Sequence, residues 1–407
     1  LVGRDTRVSG PLLQSALASG MASEGVSVVD MGVLPTPAVA YMSSRRQLPA
    51  AVISASHNAF GDNGIKLFSA GGRKLSDGVE ERLETELTRI LSGGAGQVPT
   101  GAGVGRLVAD TGAPNEYVDH VTGLLSDRPL DGMRVVMDCA NGAAFQVAPM
   151  AAAGLGAGVE VIGADPDGTN INRACGSTYP EALQQAVVDL GAEVGLAFDG
   201  DADRVLAVDH LGRLVDGDQM LALHAVDLHR RGRLRGNTVV VTVMSNLGFR
   251  QAMDSQGIGV HQTGVGDRYV LEALETGGWS LGGEQSGHVI FRDLATTGDG
   301  LLTGLLLLDL VRRHGRPLAD LAEEAMVRLP QVLHNVRVAS RNPEVAALVR
   351  PAVEALEEEM AGQGRVLVRP SGTEPLVRVM VEAPTEEQAE EAARRLVAEV
   401  ERVCGSA

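Results

Sequence analysis

Ser56, His57 and Lys66 bring a hydroxyl, an imidazole and an amine into one short stretch, residues 51–75. Such a trio can carry nucleophilic and proton-transfer chemistry. Ala51-Val52-Ile53 reads as a buried strand that empties into the polar run Ser54-Ala55-Ser56-His57-Asn58. Asp62-Asn63-Gly64 then turns the chain into a second strand, Ile65-Lys66-Leu67-Phe68. A plain hairpin with polar turn residues has the same pattern. Lysine usage argues for more than that, because among 35 Lys and Arg residues only Lys66 and Lys74 are lysines, and both lie here. Arginine stays protonated, whereas a lysine can exchange a proton when its surroundings lower its pKa.

Three further loops carry chemistry. Phe198-Asp199-Gly200-Asp201-Ala202-Asp203-Arg204 sets three carboxylates at alternate positions after a strand, the hard oxygen ligands that Mg²⁺ or Ca²⁺ takes. An EF-hand is excluded, since its glycine position holds Arg204 and its closing glutamate position holds His210. A solvated acidic loop remains the alternative. Arg369-Pro370-Ser371-Gly372-Thr373, with Arg378 shortly after, offers guanidinium groups, hydroxyls and an open backbone amide to a phosphate, or else is a structural turn. Glu284, Ser286 and His288 follow another strand and can hydrogen-bond vicinal sugar hydroxyls, or belong to a glycine-rich turn. Gly264-Val265-Gly266-Asp267-Arg268 is explained by a glycine-bounded helix start. Arg4, Arg7, Lys66, Arg204, Arg268, Arg369 and Arg378 all fall in or beside these loops. If the loops converge, a locally cationic cleft results. A hydroxyl nucleophile, a metal loop, a lysine acid/base and a phosphate cradle together indicate phosphoryl transfer.

The elements that must position these loops alternate between strand and helix. Residues 1–7 run from a strand into a polar loop, 12–22 form a helix, 26–30 a strand, and Pro35-Thr36-Pro37 opens another helix. The rhythm returns over 134–209 and again over 238–275, suggesting three α/β units of one kind. The apolar block around 301–310 reads as a buried helix. After it come a strand at 332–338, a helix at 342–360, strands at 366–369 and 377–381, and a capped amphipathic helix at 385–404. The expected fold is α/β: three similar mixed-sheet domains plus a smaller C-terminal α+β domain around one central cleft. Their expected spans are residues 1–112, 113–216, 217–328 and 329–407.

Composition sets limits on partners. A net charge of −17 discourages nucleic acid and anionic membrane surfaces but leaves room for small anions held by clustered arginines. No stretch approaches the roughly 20 apolar residues of a membrane helix. Cys139, Cys175 and Cys404, odd in number and widely spaced, argue against a disulfide framework and for a cytoplasmic setting. The chain opens at Leu1 almost inside a strand, and a preceding segment is expected.

Taken in order, Ser54 to Asn58 with Lys66, Asp199 to Arg204, Glu284 to His288, and Arg369 to Thr373 resemble the α-D-phosphohexomutase superfamily along essentially the whole chain. Within it, Gln285, Cys175-Gly176-Ser177-Thr178 and Ala295-Thr296-Thr297-Gly298-Asp299-Gly300 are most similar to the bacterial phosphoglucosamine mutases, with phosphoglucomutases and phosphomannomutases as the alternative. Ala59 departs from the proline of many relatives, and the family's N-terminal glycine- and arginine-containing segment is absent from these residues. The resemblance implies interconversion of glucosamine 6-phosphate and glucosamine 1-phosphate through a glucosamine 1,6-bisphosphate intermediate, for UDP-N-acetylglucosamine and cell-wall synthesis. It implies a phosphoserine at Ser56, Mg²⁺ held by Asp199, Asp201 and Asp203 with Ser56, and proton transfer at Lys66 and His288. His57 and Arg204 join the catalytic group. Arg7, Arg268, Glu284, Ser286, Arg369, Ser371, Gly372, Thr373 and Arg378 are expected to bind the sugar phosphate. A homodimer is among the assemblies this reading allows. A non-catalytic sugar-phosphate binder is the rival from another class, and Ser56, Lys66 and the three aspartates argue against it.

Overall fold

Short runs of Val, Ile, Leu and Ala, too apolar for an exposed edge, become the central strands of three mixed sheets. The structure, a computed structural model, describes residues 1–93, 99–125, 129–340, 342–370 and 375–405. The chain divides into two compact units, Leu1–Met244 with Ile258–Ala325, and Ser245–Gly257 with Met326–Ala407.

The first unit holds the three sheets. In the first sheet the strands Ala50–Ile53, Val2–Arg4, Val28–Val33 and Leu107–Ala109 run parallel in that spatial order. An antiparallel ribbon, Ile65–Ser69 and Arg73–Lys74, extends the sheet beyond Ala50–Ile53. The second sheet repeats the plan. Val194–Phe198, Arg134–Asp138 and Gly158–Ile162 are parallel, and Val205–Asp209 with Leu214–Val215 forms the antiparallel edge. In the third, Gly259–Thr263, Thr238–Thr242 and Leu281–Gly283 are parallel and Val289–Phe291 turns back antiparallel. The expected threefold likeness therefore appears as topology. Central strands such as Val194–Phe198 are buried along their whole length, as strands covered by helices on both faces must be.

In the second unit the strands Gln331–Arg337, Leu376–Glu382 and Arg365–Pro370 form an antiparallel sheet with Leu376–Glu382 in the middle. Val377, Val379 and Val381 alternate onto the face covered by Ala389, Leu396 and Val400 of the helix Glu386–Cys404. Thr385 caps that helix by accepting from the Gln388 amide at 3.3 Å. The helix Leu247–Ser255 also belongs to this unit, its first amide donating to the Glu382 carboxylate at 2.9 Å.

Two elements differ from expectation. The helix over 342–360 is broken into Val345–Leu348 and Arg350–Glu359, because Pro351 has no N–H to continue the ladder and starts a new first turn. The second strand of the first sheet runs Val28–Val33 rather than 26–30, and Val26 is left exposed. All three cysteines are free thiols, and no described helix is long and apolar enough to cross a membrane.

Candidate active site and metal centre

Residues 54–64, 199–204 and 284–288 occupy one topological position, the turn from a parallel strand into the antiparallel edge of its sheet. Polar side chains are thus gathered at strand ends whose strands are themselves anchored in apolar layers. In open α/β sheets such strand ends hold ligand sites.

Ser56 sits at the tip of the first turn in the left-handed region, φ 50°, with only 9% of its surface exposed. A non-glycine residue there needs outside support. Asp5 and Ser54 begin it: Ser54 Oγ donates to Asp5 Oδ2 at 2.7 Å and accepts from the Ser56 amide at 3.0 Å. Asn172 Nδ2 donates to the carbonyls of Ser56 and Asn58 at 2.8 and 3.0 Å. The Ser56 hydroxyl is left pointing at the metal loop, donating to Asp199 Oδ2 at 2.6 Å. The two loops touch so closely that a Cβ on Gly200 would lie 2.6 Å from the Ser56 carbonyl oxygen, which requires glycine there.

Asp199, Asp201 and Asp203 are all buried, with one carboxylate oxygen from each within 4.8 Å of the others. At that separation each pair repels by roughly 3 kcal/mol at an effective dielectric of about 20. Lys66 Nζ lies 2.6 Å from Asp201 Oδ2 and 3.8 Å from Asp203 Oδ2, and Thr36 Oγ1 donates to Asp201 Oδ2 at 2.6 Å. Arg204 donates its amide to Asp199 Oδ1 at 3.2 Å, with Nε 3.7 Å from Asp203 Oδ1. Two cations therefore face three carboxylates. Asp201 Oδ1 and Asp203 Oδ1 are buried without a hydrogen-bond partner. Buried acceptors without partners, on hard oxygen ligands, fit a divalent cation.

The field is uneven across the triad. Burial, then the charges of Asp203 and Asp201, push Asp199 well above the usual carboxylate range. For Asp203 burial acts in the same sense, but Lys66, His288 and Arg204 outweigh it and hold the group well below that range. Contrary to the expectation of a lysine whose surroundings lower its pKa, Lys66 is raised: burial acts to lower it, but Asp201 and Asp203 outweigh that effect. His57, exposed at the tip beside Ser56, is lowered by partial burial and by Arg204, with Asp203 and Asp201 opposing.

At the third turn Ser286 is exposed and Glu284 half-buried, with Glu284 Oε1 accepting from the Gly266 amide at 3.2 Å. Arg204 Nε, 3.7 Å from Asp203 Oδ1, is buried without a hydrogen-bond partner, and the group lies in the field of Glu284. Ser56, His57, Lys66, Asp199, Asp201, Asp203 and Arg204 thus come together, with Glu284 and Ser286 at their side.

Three residues take other places. Arg7 is 1% exposed: Nε pairs with Asp5 at 2.8 Å, and its other donors go to the carbonyls of Ser56, Asn58, Ala59 and Asp62. It holds the serine turn from beneath and has no donor left for a substrate. Arg268 reaches the Leu75 carbonyl at 3.0 Å and Glu80 at 3.3 Å, bracing the first sheet's margin. His288 is buried behind Asp203 rather than open on the loops' outer side. Sequence reasoning missed Asp5, Thr36 and Asn172. Asp5 carries a weak signal, a charged residue directly after a buried strand. Thr36 and Asn172 carry none, since their partners are more than a hundred residues away.

In the second unit Arg369 and Arg378 face each other directly across two antiparallel strands. Ser371, Gly372 and Thr373 lie outside the described residues.

Models of the phosphoglucomutase/phosphomannomutase family match the chain in succession: alpha/beta/alpha domain I over residues 1–93, domain II over 115–212, domain III over 216–329 and the C-terminal domain over 333–399. A phosphoglucosamine mutase of Streptomyces griseus subsp. griseus is 54% identical over 407 residues, which is 100% of this chain and 90% of that one. A crystal structure of a phosphoglucomutase/phosphomannomutase family protein from Burkholderia thailandensis superposes with a TM-score of 0.81 at 26% identity, covering 100% of this chain and 90% of that one. The fold is also that of Aspergillus fumigatus N-acetylphosphoglucosamine mutase, solved in complex with GlcNAc-6P and magnesium, at a TM-score of 0.69, 19% identity and coverage of 91% and 93%. With four domain matches in family order and such identity along its whole length, the chain belongs to the phosphoglucosamine mutase family of the phosphohexomutase superfamily.

Proposed function

We infer that the protein interconverts glucosamine 6-phosphate and glucosamine 1-phosphate, with Ser56 carrying the exchangeable phosphoryl group. The observation that carries this reading is the 2.6 Å hydrogen bond from Ser56 Oγ to Asp199, which sets a buried, conformationally held hydroxyl against three carboxylates. A binding protein needs neither a held nucleophile nor a metal loop. The sugar is taken from the family's full-length relatives, which are named phosphoglucosamine mutases.

In the first half-reaction the bond from phosphorus to Ser56 Oγ breaks and a bond from phosphorus to the free sugar hydroxyl forms, giving glucosamine 1,6-bisphosphate. One proton leaves the sugar hydroxyl and one arrives at Oγ, so the step is proton-neutral. Lys66, kept cationic by Asp201 and Asp203, gives a proton at Nζ, and neutral His57 takes one at its ring. The second half-reaction returns the other phosphate to Ser56 with these roles reversed. Arg204, whose Nε makes no hydrogen bond, stabilises the moving negative charge. Glu284 and Ser286 orient the sugar hydroxyls. Arg369 and Arg378, with Ser371, Gly372 and Thr373, hold the phosphate that is not reacting. Asp199, Asp201 and Asp203 would hold Mg²⁺ together with Ser56, and when bound it supplies neutralisation of charge on the transferring phosphoryl group.

The test supplies Mg²⁺ and a sugar 1,6-bisphosphate primer and compares turnover of glucosamine, glucose and mannose 6-phosphates. Preference for the amino sugar, abolished in Ser56→Ala with the fold retained, is the expected result. Preference for glucose or mannose moves the chain to a phosphoglucomutase or phosphomannomutase reading. Substantial mutase turnover in Ser56→Ala overturns the phosphoserine.

A further inference from the structure

Lys74, the second of the chain's two lysines, takes no part in the chemistry above. It ends the strand Arg73–Lys74, paired with Phe68 on the strand that carries Lys66. Its ammonium forms an ion pair with Asp267 Oδ2. Asp267 opens the helix Asp267–Gly277, with Oδ1 accepting from the Arg268 amide at 2.9 Å and Oδ2 lying 3.8 Å from His288 Nε2. His288 is buried, and its Nε2 accepts from the Gly298 amide at 3.2 Å. The other ring nitrogen, Nδ1, faces Asp203 Oδ1 at 3.7 Å. The ring packs so closely on Gly298 that a Cβ there would meet its atoms at 2.4 Å, which requires glycine at this position.

Lys74, Asp267, His288 and Asp203 thus form a row from the edge of the first sheet to the metal loop. Lys66 reaches the same loop directly, at Asp201. Both lysines of the chain act on the metal carboxylates, one by contact and one through two intermediates. We propose that Lys74 is a positioning residue for the metal loop: by holding Asp267 behind His288 it fixes the Asp203 carboxylate in the orientation a divalent cation requires. The proposal rests on the metal reading above. Without the ammonium, the uncompensated charge of Asp267 faces the acceptor nitrogen Nε2 and displaces the ring from its place against Asp203. Groups that orient metal ligands from behind are a recognised determinant of metal affinity.

The test measures Mn²⁺ binding to the full chain without sugar phosphate, by the electron paramagnetic resonance signal of the free ion. Lys74→Met is expected to weaken Mn²⁺ binding about tenfold, to lower kcat at limiting Mg²⁺ with recovery at high Mg²⁺, and to leave KM for the sugar phosphate within about twofold. Lys74→Gln, a polar replacement at this half-exposed site, gives the same result if the Met variant fails to fold. Asp267→Asn is expected to weaken binding equally, and the double variant Lys74→Met with Asp267→Asn no further. Mn²⁺ affinity in Lys74→Met and Lys74→Gln equal to the parent's, or losses that multiply in the double variant, overturn the proposal alone. A parent chain that binds no Mn²⁺ overturns the metal reading and this proposal with it.

Discussion

Arg7 shows how much of a reactive residue's behaviour is fixed by its neighbours. The left-handed backbone at Ser56 costs of order 1 kcal/mol or more, and the turn carries carbonyls that point inward, away from water. A guanidinium fork meets this need, since its donors diverge in one plane while its charge is matched by Asp5. Lysine has no such fork. Arg7→Lys is expected to keep the pairing with Asp5, leave most of the Ser56, Asn58, Ala59 and Asp62 carbonyls without donors, and cost about 3 kcal/mol of stability. It should lower kcat by about a hundredfold with little change in KM, because misplacing a reacting group acts on the chemical step. Denaturant unfolding and steady-state kinetics check the two halves. A raised KM with normal kcat would instead return Arg7 to the substrate. Its type and its place beside a polar loop were legible in the sequence; the direction of its side chain was not. Arg7 and the carbonyls that accept from it are brought together by the parallel pairing of Val2–Arg4 with Ala50–Ile53, a contact no local pattern encodes. Arg268 and His288 were misread for the same reason, whereas Ser56 and the aspartates were legible because a tight turn leaves a side chain few directions to point.

Among elements, the helix Gly300–His314 is the buried scaffold behind the metal loop, and its start is set by charge. Asp299 caps it, accepting from the Leu302 amide at 2.9 Å, while the Tyr117 hydroxyl of the helix Ala113–Gly123 donates to both its oxygens at 2.8 and 2.9 Å. Burial nonetheless raises Asp299 to about 6. Folding therefore favours its protonated form, and the stability this gives is lost as pH rises from about 4 through 6. His224, on the helix Gly217–Arg230, packs its ring edge-on against Phe291 and is pushed by burial down to about 4. Its contribution has the opposite sign, present above about 6.5 and lost as pH falls toward 4. The two shifts, each worth about 3 kcal/mol, oppose one another over the same window. Asp299→Asn keeps an oxygen for Tyr117 and for the cap but no longer titrates. It is expected to make the protein more stable than the parent at pH 7 and to steepen the loss of thermal stability between pH 7 and 4.5. Parallel melting curves across that range in both proteins would show that Asp299 does not titrate there. The apolar block at 301–310 was readable as a helix, and its acidic cap fits the usual start signal. The break at Pro351 was missed, the helix being expected whole over 342–360, although proline ends a helical ladder wherever it falls beyond the first turn. The neutral buried state of His224 was not readable, because it depends on Phe291, far along the chain.

For the whole molecule, the contrast is between a net charge of −17 and an anionic substrate, and local sheet geometry resolves it. Arg369 and Arg378 stand directly opposite one another, with Asn335 opposite Arg378 on its other side. Like charges placed so are unfavourable to an unliganded sheet by a few tenths of a kcal/mol. A structural pair would have one acidic member; two arginines suit a dianion that meets both. Arg378→Ala is thus expected to act in two directions at once. Losing a charge-assisted hydrogen bond worth about 1.5–3 kcal/mol should raise KM for the sugar phosphate about 10- to 100-fold while kcat changes little. Removing half of a repelling pair should leave thermal stability without phosphate unchanged or slightly higher. Added salt should raise the parent's KM more than the variant's, since less cationic charge is left to screen. Kinetics at two ionic strengths together with a melting curve separate the cases. An unchanged KM would remove Arg378 from phosphate binding, and a lowered melting temperature would make it part of the sheet's own support.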